Sequence, residues 1–430
     1  MEYYNKSSSW NRLAQILIIL CFLQIIHVIR ANAQWVNDSS NGFYPRRSQA
    51  SCVVSGLIYV IGGGHFDTLQ VFYPSTHIWS LPAISGTFIS GELMAGTTAS
   101  VLDGKIYDIE SYYYFKYYDS LKVFDPATNS WAYPSVTGNF TPRTAFSSCV
   151  VNGKIYTIGG LTNIAGIDTV LNSLDVFDPT TNMWSTPVTN GSFIARYGAS
   201  SGVIDGKIYV VGGSGHFDPS QDVPPVQVFD PSTNTWSTPV TKGTFTQRWY
   251  LTSAVVNGKI YAIGGAVYPF GVSSSFLHTV EIFDPATNTW TEGPSMPTGR
   301  DELSSAIVNG KIYAIGGYNG DNELNTVEVL DVGPASVRDV ASSQIISLAP
   351  SYPNPITSTS TISFTLPAAS QVTLTVTDAA GRVRQLWPAG RLDAGQHEVT
   401  WDASNYPSGV YLCRLEAGGV SAARRVLVMH

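Results

Sequence analysis

Charge is scarce in this chain: Asp, Glu, Lys and Arg make up 13% of its 430 residues, and their balance is −7. So little basic surplus leaves no footprint for nucleic acid or an acidic membrane surface. Cysteine is nearly missing as well. The four that occur form no CxxC pair, so neither a disulfide scaffold nor a zinc ribbon is indicated. There is no nucleophile elbow, HExxH, P-loop or Ser/His/Asp signature, and no motif calls for a metal or another cofactor. Beyond one apolar run at residues 13–29, no stretch is long and apolar enough to span a bilayer. Gly, Pro, Tyr and Trp are plentiful instead (39, 24, 23 and 10 residues), a mix that suits short strands with tight turns and argues against coiled coil and disorder.

Lys6 and Arg12 precede the apolar run, and Ala31-Asn32-Ala33 supplies a small-residue cleavage pattern. Residues 1–33 therefore read as a signal peptide cut between Ala33 and Gln34, with an uncleaved anchor as the alternative. Cys21 follows Leu20 rather than a small residue, which disfavours a lipoprotein site.

The rest of the chain is organised around one octapeptide, GKIYAIGG, at residues 310–317 and again at 258–265, with close copies at 56–63, 153–160 and 206–213. The copy at 104–111, GKIYDIES, loses its glycine pair. A period of about 50 residues lies in the range of propeller blades and solenoids. An apolar run and Asn-Gly or Asp-Gly precede most copies, as at Asn152-Gly153 and Asp205-Gly206, the signature of a type I′ hairpin between strands a and b. Strand c, as in Val176-Phe177, runs into Asp-Pro-x-Thr-Asn-x-Trp, a turn that delivers Trp131, Trp184, Trp236 and Trp290 to an outer strand d. Four strands repeated six times predict an all-β, six-bladed β-propeller. The sixth copy has no Trp of its own. Trp35 lies 21 residues before Gly56, close to the 22 between Trp131 and Gly153, so the segment around Trp35 is expected to close the ring as the last strand d.

The c–d turns have a fixed length, whereas the b–c and d–a connections vary, so one face carries adjustable loops where binding residues usually sit. On that face Arg46, Arg143, Arg196, Arg248 and Arg300 each stand ten residues before the leading glycine, with Met94 in the second copy. Two readings are open. The arginines form a broken ring of guanidiniums at the channel mouth, fit for carboxylate, sulfate or phosphate, or each bonds backbone carbonyls of the neighbouring blade. The second copy adds Glu92 and the run Tyr112, Tyr113, Tyr114, Phe115, Lys116, Tyr117, Tyr118. These tyrosines suit stacking on a sugar or gripping a protein, or they extend strands b and c. Cys52 and Cys149 occupy a strand-a position that holds Gly202, Ala254 and Ala306 elsewhere, so that position wants something small.

The pattern Arg-x(10)-G-K-I-Y-x-I-G-G … V-x-V-F-D-P-x-T-N-x-W resembles the kelch repeat over about 300 residues. After residue 333 a Ser/Ala-rich linker (334–345) leads to alternating strands at 361–366, 372–377, 398–401, 410–415 and 423–428, read as a small immunoglobulin-like β-sandwich at 346–430. Tyr352-Pro353-Asn354-Pro355, Ser408-Gly409-Val410-Tyr411 and Arg424-Arg425-Val426-Leu427-Val428 are similar to the C-terminal sorting domain of the type IX secretion system of Bacteroidetes-like bacteria. The family often ends in a basic residue after the last strand, where this chain has Met429-His430. An immunoglobulin-like adhesive module is the alternative. The resemblances imply a propeller at 34–333, export by the type IX machinery, and a secreted or outer-membrane surface-attached protein that binds a glycan or protein through its variable face. Kelch propellers also include sugar-modifying enzymes. The enzymatic alternative resembles a sialic-acid epimerase (mutarotase), with the arginine ring holding a carboxylate and Glu92, Asp301 or Glu302 as acid or base. A purely architectural display module is a third reading.

Overall fold

A computed structural model describes residues 34–38, 42–64, 68–85, 97–113, 116–164, 166–215, 223–267, 274–333, 346–349, 351, 353–366, 369–378, 382–417 and 420–430. Ala33, Glu92, Met94 and Tyr114 lie outside the described residues. Among the described residues no helix is long and apolar enough to cross a membrane.

The repeats fold as antiparallel four-stranded sheets in the order a-b-c-d. The first sheet comprises Ala50–Val54, Leu57–Ile61, Leu69–Tyr73 and Ile78–Ser80, and the third Ser147–Val151, Lys154–Ile158, Leu174–Asp178 and Met183–Ser185. The second, fourth and fifth sheets repeat this order, beginning at Thr98–Leu102, Tyr197–Ile204 and Thr252–Val256. The sixth consists of Ser304–Val308, Lys311–Ile315, Val327–Asp331 and, as its outer strand, Trp35–Asn37. The a–b turns have the expected geometry, with both residues at positive φ: 50° and 72° at Asn152-Gly153, 55° and 67° at Asn257-Gly258.

Trp35 pairs with Leu330 in the register that sets Trp184 opposite Phe177 and Trp290 opposite Phe283. Its indole Nε1 donates to the Pro294 carbonyl at 2.7 Å. Trp35 thus lies in the outer strand of the last sheet, the place that its spacing from Gly56 predicts. Leu330 stands where the other copies carry Phe, and the sixth copy looks incomplete from its own residues because its strand d comes from Trp35–Asn37.

Six apolar clusters lie between successive sheets. Ile58, Phe72 and Trp79 of the first sheet share a cluster with Ile315, Val327 and Val329 of the sixth. Trp35 packs with Leu330 and Met296 against Ile263 and Val280 of the fifth. A second device joins neighbours at their outer edges. The chain leaving one sheet pairs in parallel with strand d of the next, as at Ser85 with Ser130, Asn190 with Thr235 and Lys242 with Thr289. This covers edges that would otherwise present unpaired backbone groups.

In the C-terminal segment, Ser347–Leu348, Thr359–Leu366 and Gly395–Asp402 form one sheet. Val383–Leu392, Ser370–Asp378, Gly409–Ala417 and Val420–Val428 form another. Trp401, Phe364, Leu374 and Leu415 are buried together in their shared core. All five expected strands are present. Val383–Leu392 escaped the sequence reading because Pro388 and Gly390 interrupt its alternation, which an edge strand with a register shift tolerates. His430 ties down the chain end, its ring nitrogens 3.0 Å from the Thr357 carbonyl and 2.9 Å from that of Tyr406.

Because Trp35 is only 7% exposed and both its strand and its indole bond distant sequence, Trp35→Ala should destabilise the repeat region by about 3–5 kcal/mol, as large aromatic truncations do. Urea unfolding followed by intrinsic fluorescence measures this, with the exposed neighbour Val36→Ala as a control expected to change little.

Candidate functional site

The five arginines of the repeat do not face an open channel. Arg46, Arg143 and Arg300 have no exposed surface, Arg196 and Arg248 almost none, and none lines the cavity between the inner strands. Each guanidinium Nη1 donates to the carbonyl of the first glycine of its own sheet's pair: Gly62 at 2.9 Å, Gly159 at 3.1 Å, Gly212 at 3.0 Å, Gly264 at 3.1 Å and Gly316 at 3.0 Å. Nη1 also meets the carbonyl at the entry to strand c, such as Ser173 or Thr279, and Nη2 meets a strand-c side chain. That side chain is Gln70, Asp175, Gln227, Glu281 or Glu328 in turn. Burial pulls the guanidinium pKa of Arg46 and Arg196 down to about 10. Burial also lowers those of Arg143, Arg248 and Arg300, against the opposing pull of their carboxylate partners.

The expected ring of anion-binding guanidiniums is thus corrected. The donors are consumed inside each sheet because a buried charge must be paired and hydrogen-bonded to be tolerated. The alternative of bonds to the neighbouring blade has the direction reversed. The second glycine of four of the five pairs donates its N–H to the backbone carbonyl of the next sheet's arginine: Gly160 to Arg196 at 2.8 Å, Gly213 to Arg248 at 2.9 Å, Gly265 to Arg300 at 2.8 Å and Gly317 to Arg46 at 2.9 Å. The last of these links the sixth sheet to the first. A Cβ on Gly317 would lie 2.7 Å from the Asp301 carbonyl and one on Gly316 2.7 Å from that of Arg46, so the pair permits backbone contact on both sides.

The second sheet replaces this arrangement. Lys122 occupies the strand-c position of Asp175 or Glu281, and Asp108 stands opposite it on strand b; both are buried. The Asp108 carboxylate accepts a hydrogen bond from Thr97. The exchange of Arg for Met94 therefore coincides with a relocated pair of buried charges, a signal visible in the sequence as the lone Lys at that position. Strands b and c here, Lys105–Tyr113 and Lys116–Asp125, are nearly twice the usual length. Tyr112 pairs with Tyr117 and Tyr113 with Lys116 across the hairpin, so these tyrosines belong to extended strands.

Two residues past each arginine the chain takes a left-handed turn: φ is 57° at Ser48, 51° at Ala145, 63° at Gly198, 53° at Tyr250 and 50° at Glu302. These residues bond one another from sheet to sheet, Gly198 N–H to Ala145 at 2.7 Å, Tyr250 to Gly198 at 2.7 Å, Glu302 to Tyr250 at 2.9 Å and Ser48 to Glu302 at 2.8 Å. They rim a cavity of about 300 Å³ whose walls are the inner strands. Hydroxyls dominate those walls and bridge sheets, with Ser200 to Ser253 at 2.7 Å and Thr252 to Ser305 at 2.9 Å. Outside the rim, Arg47 lies 4.7 Å from the Tyr318 ring centre, its Nε 3.4 Å from Glu323 and 3.7 Å from Glu302. Of these residues the sequence reading names only Glu302, as an acid or base candidate; it missed the rim as a unit because its residues share a backbone conformation and no chemistry.

The glycine-pair carbonyls, the arginines and the strand-c entries meet at one end of each sheet. The opposite end carries the tight turns, where Lys154 meets Asp178 at 3.0 Å and Lys207 meets Asp230 at 3.2 Å. The variable b–c and d–a connections therefore share the end that holds the rim. Cys52 and Cys149 are free thiols, and burial pushes that of Cys149 up to about 12. In the fourth sheet a Cβ at Gly202 would come 2.5 Å from Val255, in keeping with the expected demand for a small residue. Among the described residues no group of three or more His, Cys, Asp or Glu could hold a metal ion.

Arg143→Met should cost about 3–5 kcal/mol, since it leaves the buried Asp175 carboxylate without its cation. Arg196→Met, facing the neutral Gln227, should cost about 1–3 kcal/mol. Ala145→Gly should gain about 0.5–1 kcal/mol by relieving a side chain held at positive φ. Chemical denaturation of the three variants checks both the order and the signs.

Residues 24–213 and 168–351 match the family described as KLHDC2/KLHL20/DRC7 Kelch-repeats domain, and residues 351–429 match the Secretion system C-terminal sorting domain. Among curated proteins the chain is 31% identical over 159 residues to Spermatocyte protein spe-26 of Caenorhabditis elegans, covering 36% of this chain and 27% of that protein. It is 30% identical over 189 residues to Kelch domain-containing protein 3 of Bos taurus, covering 41% and 48% respectively. With Kelch-like protein 15 of Danio rerio it shares 30% over 224 residues, 48% of this chain and 35% of that protein. The chain thus spans half or less of the length of these relatives. The repeated sheets, their glycine-pair couplers and these matches together show that the chain belongs to the kelch-repeat family and carries a type IX sorting tail, which implies a secreted or cell-surface location.

Proposed function

We propose that this is an exported kelch module that binds a glycan or protein through its variable-loop end. In this reading the sheets are six blades of a closed propeller spanning residues 34–333, joined by the linker at 334–345 to an immunoglobulin-like sandwich at 346–430 that engages the secretion machinery. The signal peptide is residues 1–33. The observation that carries the binding role is the asymmetry of the two ends: one holds uniform tight turns and Lys–Asp pairs, the other every long connection, the axial cavity, and the Arg47, Glu302 and Glu323 cluster. Binding residues concentrate where a rigid scaffold presents loops of free length.

The tyrosine hairpin at 112–117 remains part of the proposed surface, and Glu92 and Tyr114 belong to the same connections in sequence. The acidic-sugar mutarotase reading loses its support, because the arginines that were to hold the carboxylate are occupied within their sheets.

The test is binding of the purified chain to a glycan array and to a panel of surface proteins, repeated with Tyr112→Ala/Tyr117→Ala and with Arg47→Ala. Specific signals that fall in either variant, with circular dichroism unchanged, support the reading. Signals that persist in both variants overturn it.

A further inference from the structure

We infer that the axial cavity and its rim take a neutral, polyhydroxylated ring of monosaccharide size, the exposed terminal sugar of a glycan. This rests on the loop-end binding role proposed above and names the chemistry of its ligand.

Three observations carry it. First, the cavity has a volume of about 300 Å³, at the lower end of the range for small-molecule sites, and it is walled by strand a of all six sheets, from Ala50 and Ser51 round to Ser304 and Ser305. Second, its described lining includes Ser51, Thr98, Ser148, Ser200, Ser253 and Ser305, groups that both donate and accept hydrogen bonds. The only charged side chain in that described lining is Glu302. Third, two of the five described rim positions hold side chains far larger than the left-handed backbone favours. Tyr250 and Glu302 sit at φ 53° and 50°, where other sheets place Ser48, Ala145 and Gly198. Conformations of this kind are held at a cost, and they cluster where ligands are gripped.

The chemistry then selects among ligand classes. An anionic sugar would meet the Glu302 carboxylate in the described lining, and the cation beside it, Arg47, already lies between Glu302 and Glu323. A cationic ligand would find Glu302 already engaged by the Ser48 hydroxyl and flanked by the Arg47 guanidinium. A neutral sugar meets neither obstacle. Its vicinal hydroxyls can donate to the Glu302 carboxylate, which has lone pairs beyond the one Ser48 uses. Its apolar face can lie on the Tyr250 ring, which lines the mouth beside Trp249 and Tyr197. The wall hydroxyls of Ser51, Ser253 and Ser305 give their protons to backbone carbonyls and can accept hydrogen bonds from the rest of the ring.

Isothermal titration calorimetry of the full chain with methyl galactoside, methyl glucoside and methyl mannoside, beside glucuronate and N-acetylneuraminate, tests the inference. The expected result is saturable binding of at least one neutral glycoside and none of the acids. Glu302→Gln keeps the size of the side chain, and Tyr250→Asn suits the left-handed backbone; each should weaken binding at least about tenfold with the thermal transition in place. Binding of an acid in preference, or neutral binding that both variants leave intact, overturns the inference. So does the absence of heat with every neutral glycoside. If signals on the arrays still depend on the hairpin or Arg47 in those cases, the loop-end role survives and only the sugar at the axis falls; if they do not, both fall.

Discussion

A buried guanidinium and a pair of glycines hold this architecture together. Within a sheet, arginine joins the head of strand a to the end of strand b and the entry of strand c, closing three segments that the chain sequence alone leaves loosely related. Between sheets, the second glycine passes the connection on by donating to the carbonyl of the next arginine. One residue type thus serves both contacts, its side chain inside its sheet and its backbone to the neighbour. From the third sheet to the sixth, neither link has room for a Cβ on these glycines, because it would lie under 3.0 Å from a backbone carbonyl oxygen. An unpaired arginine buried to this extent would be costly, so the strand-c acid or amide and the carbonyls form a set that must be present together.

The second sheet departs from this set in several places at once. Met94 in place of arginine goes with Lys122 in place of the strand-c acceptor, Asp108 on strand b, and the loss of the glycine pair at Glu110-Ser111. The two central strands here continue to Tyr113 and from Lys116, whereas strand b of the fourth sheet runs through its glycine pair to Ser214. The irregular copy is therefore a different solution to the burial of one positive charge.

The two ends of the sheets differ in what they carry. At one end, Lys–Asp pairs and Asp-Pro-x-Thr-Asn turns repeat with little change. Asp178, hydrogen-bonded by Thr180 and Lys154, has its carboxyl held down to about 2. At the other end, connections of free length surround a polar cavity whose inner hydroxyls also stitch sheet to sheet. A wall of serines and threonines can serve both purposes, because each hydroxyl donates once and still accepts. The sorting tail encloses its own core of Trp401, Phe364 and Leu415.

The repeat, its hairpin turns, the outer-strand tryptophans and the place of Trp35 in the last sheet were all legible in the chain, because each rests on local backbone preference or on counting residues between equal landmarks. The strands of the tail were legible wherever apolar and polar residues alternate, and Val383–Leu392 was lost where Pro388 broke that alternation. The fate of the arginines was not legible. A guanidinium at a strand head fits an anion site and a buried clasp equally well, and only the packed sheets show that Gly159, Ser173 and Asp175 converge on Arg143 from three segments. The rim of Ser48, Ala145, Gly198, Tyr250 and Glu302 was hidden as a unit, with Glu302 alone among the sequence candidates, since a shared left-handed turn in five unlike residues leaves no common side chain to read. Short-range spacing determined the units and their order; contacts between residues far apart in the chain decided which polar groups are consumed inside and which face the cavity.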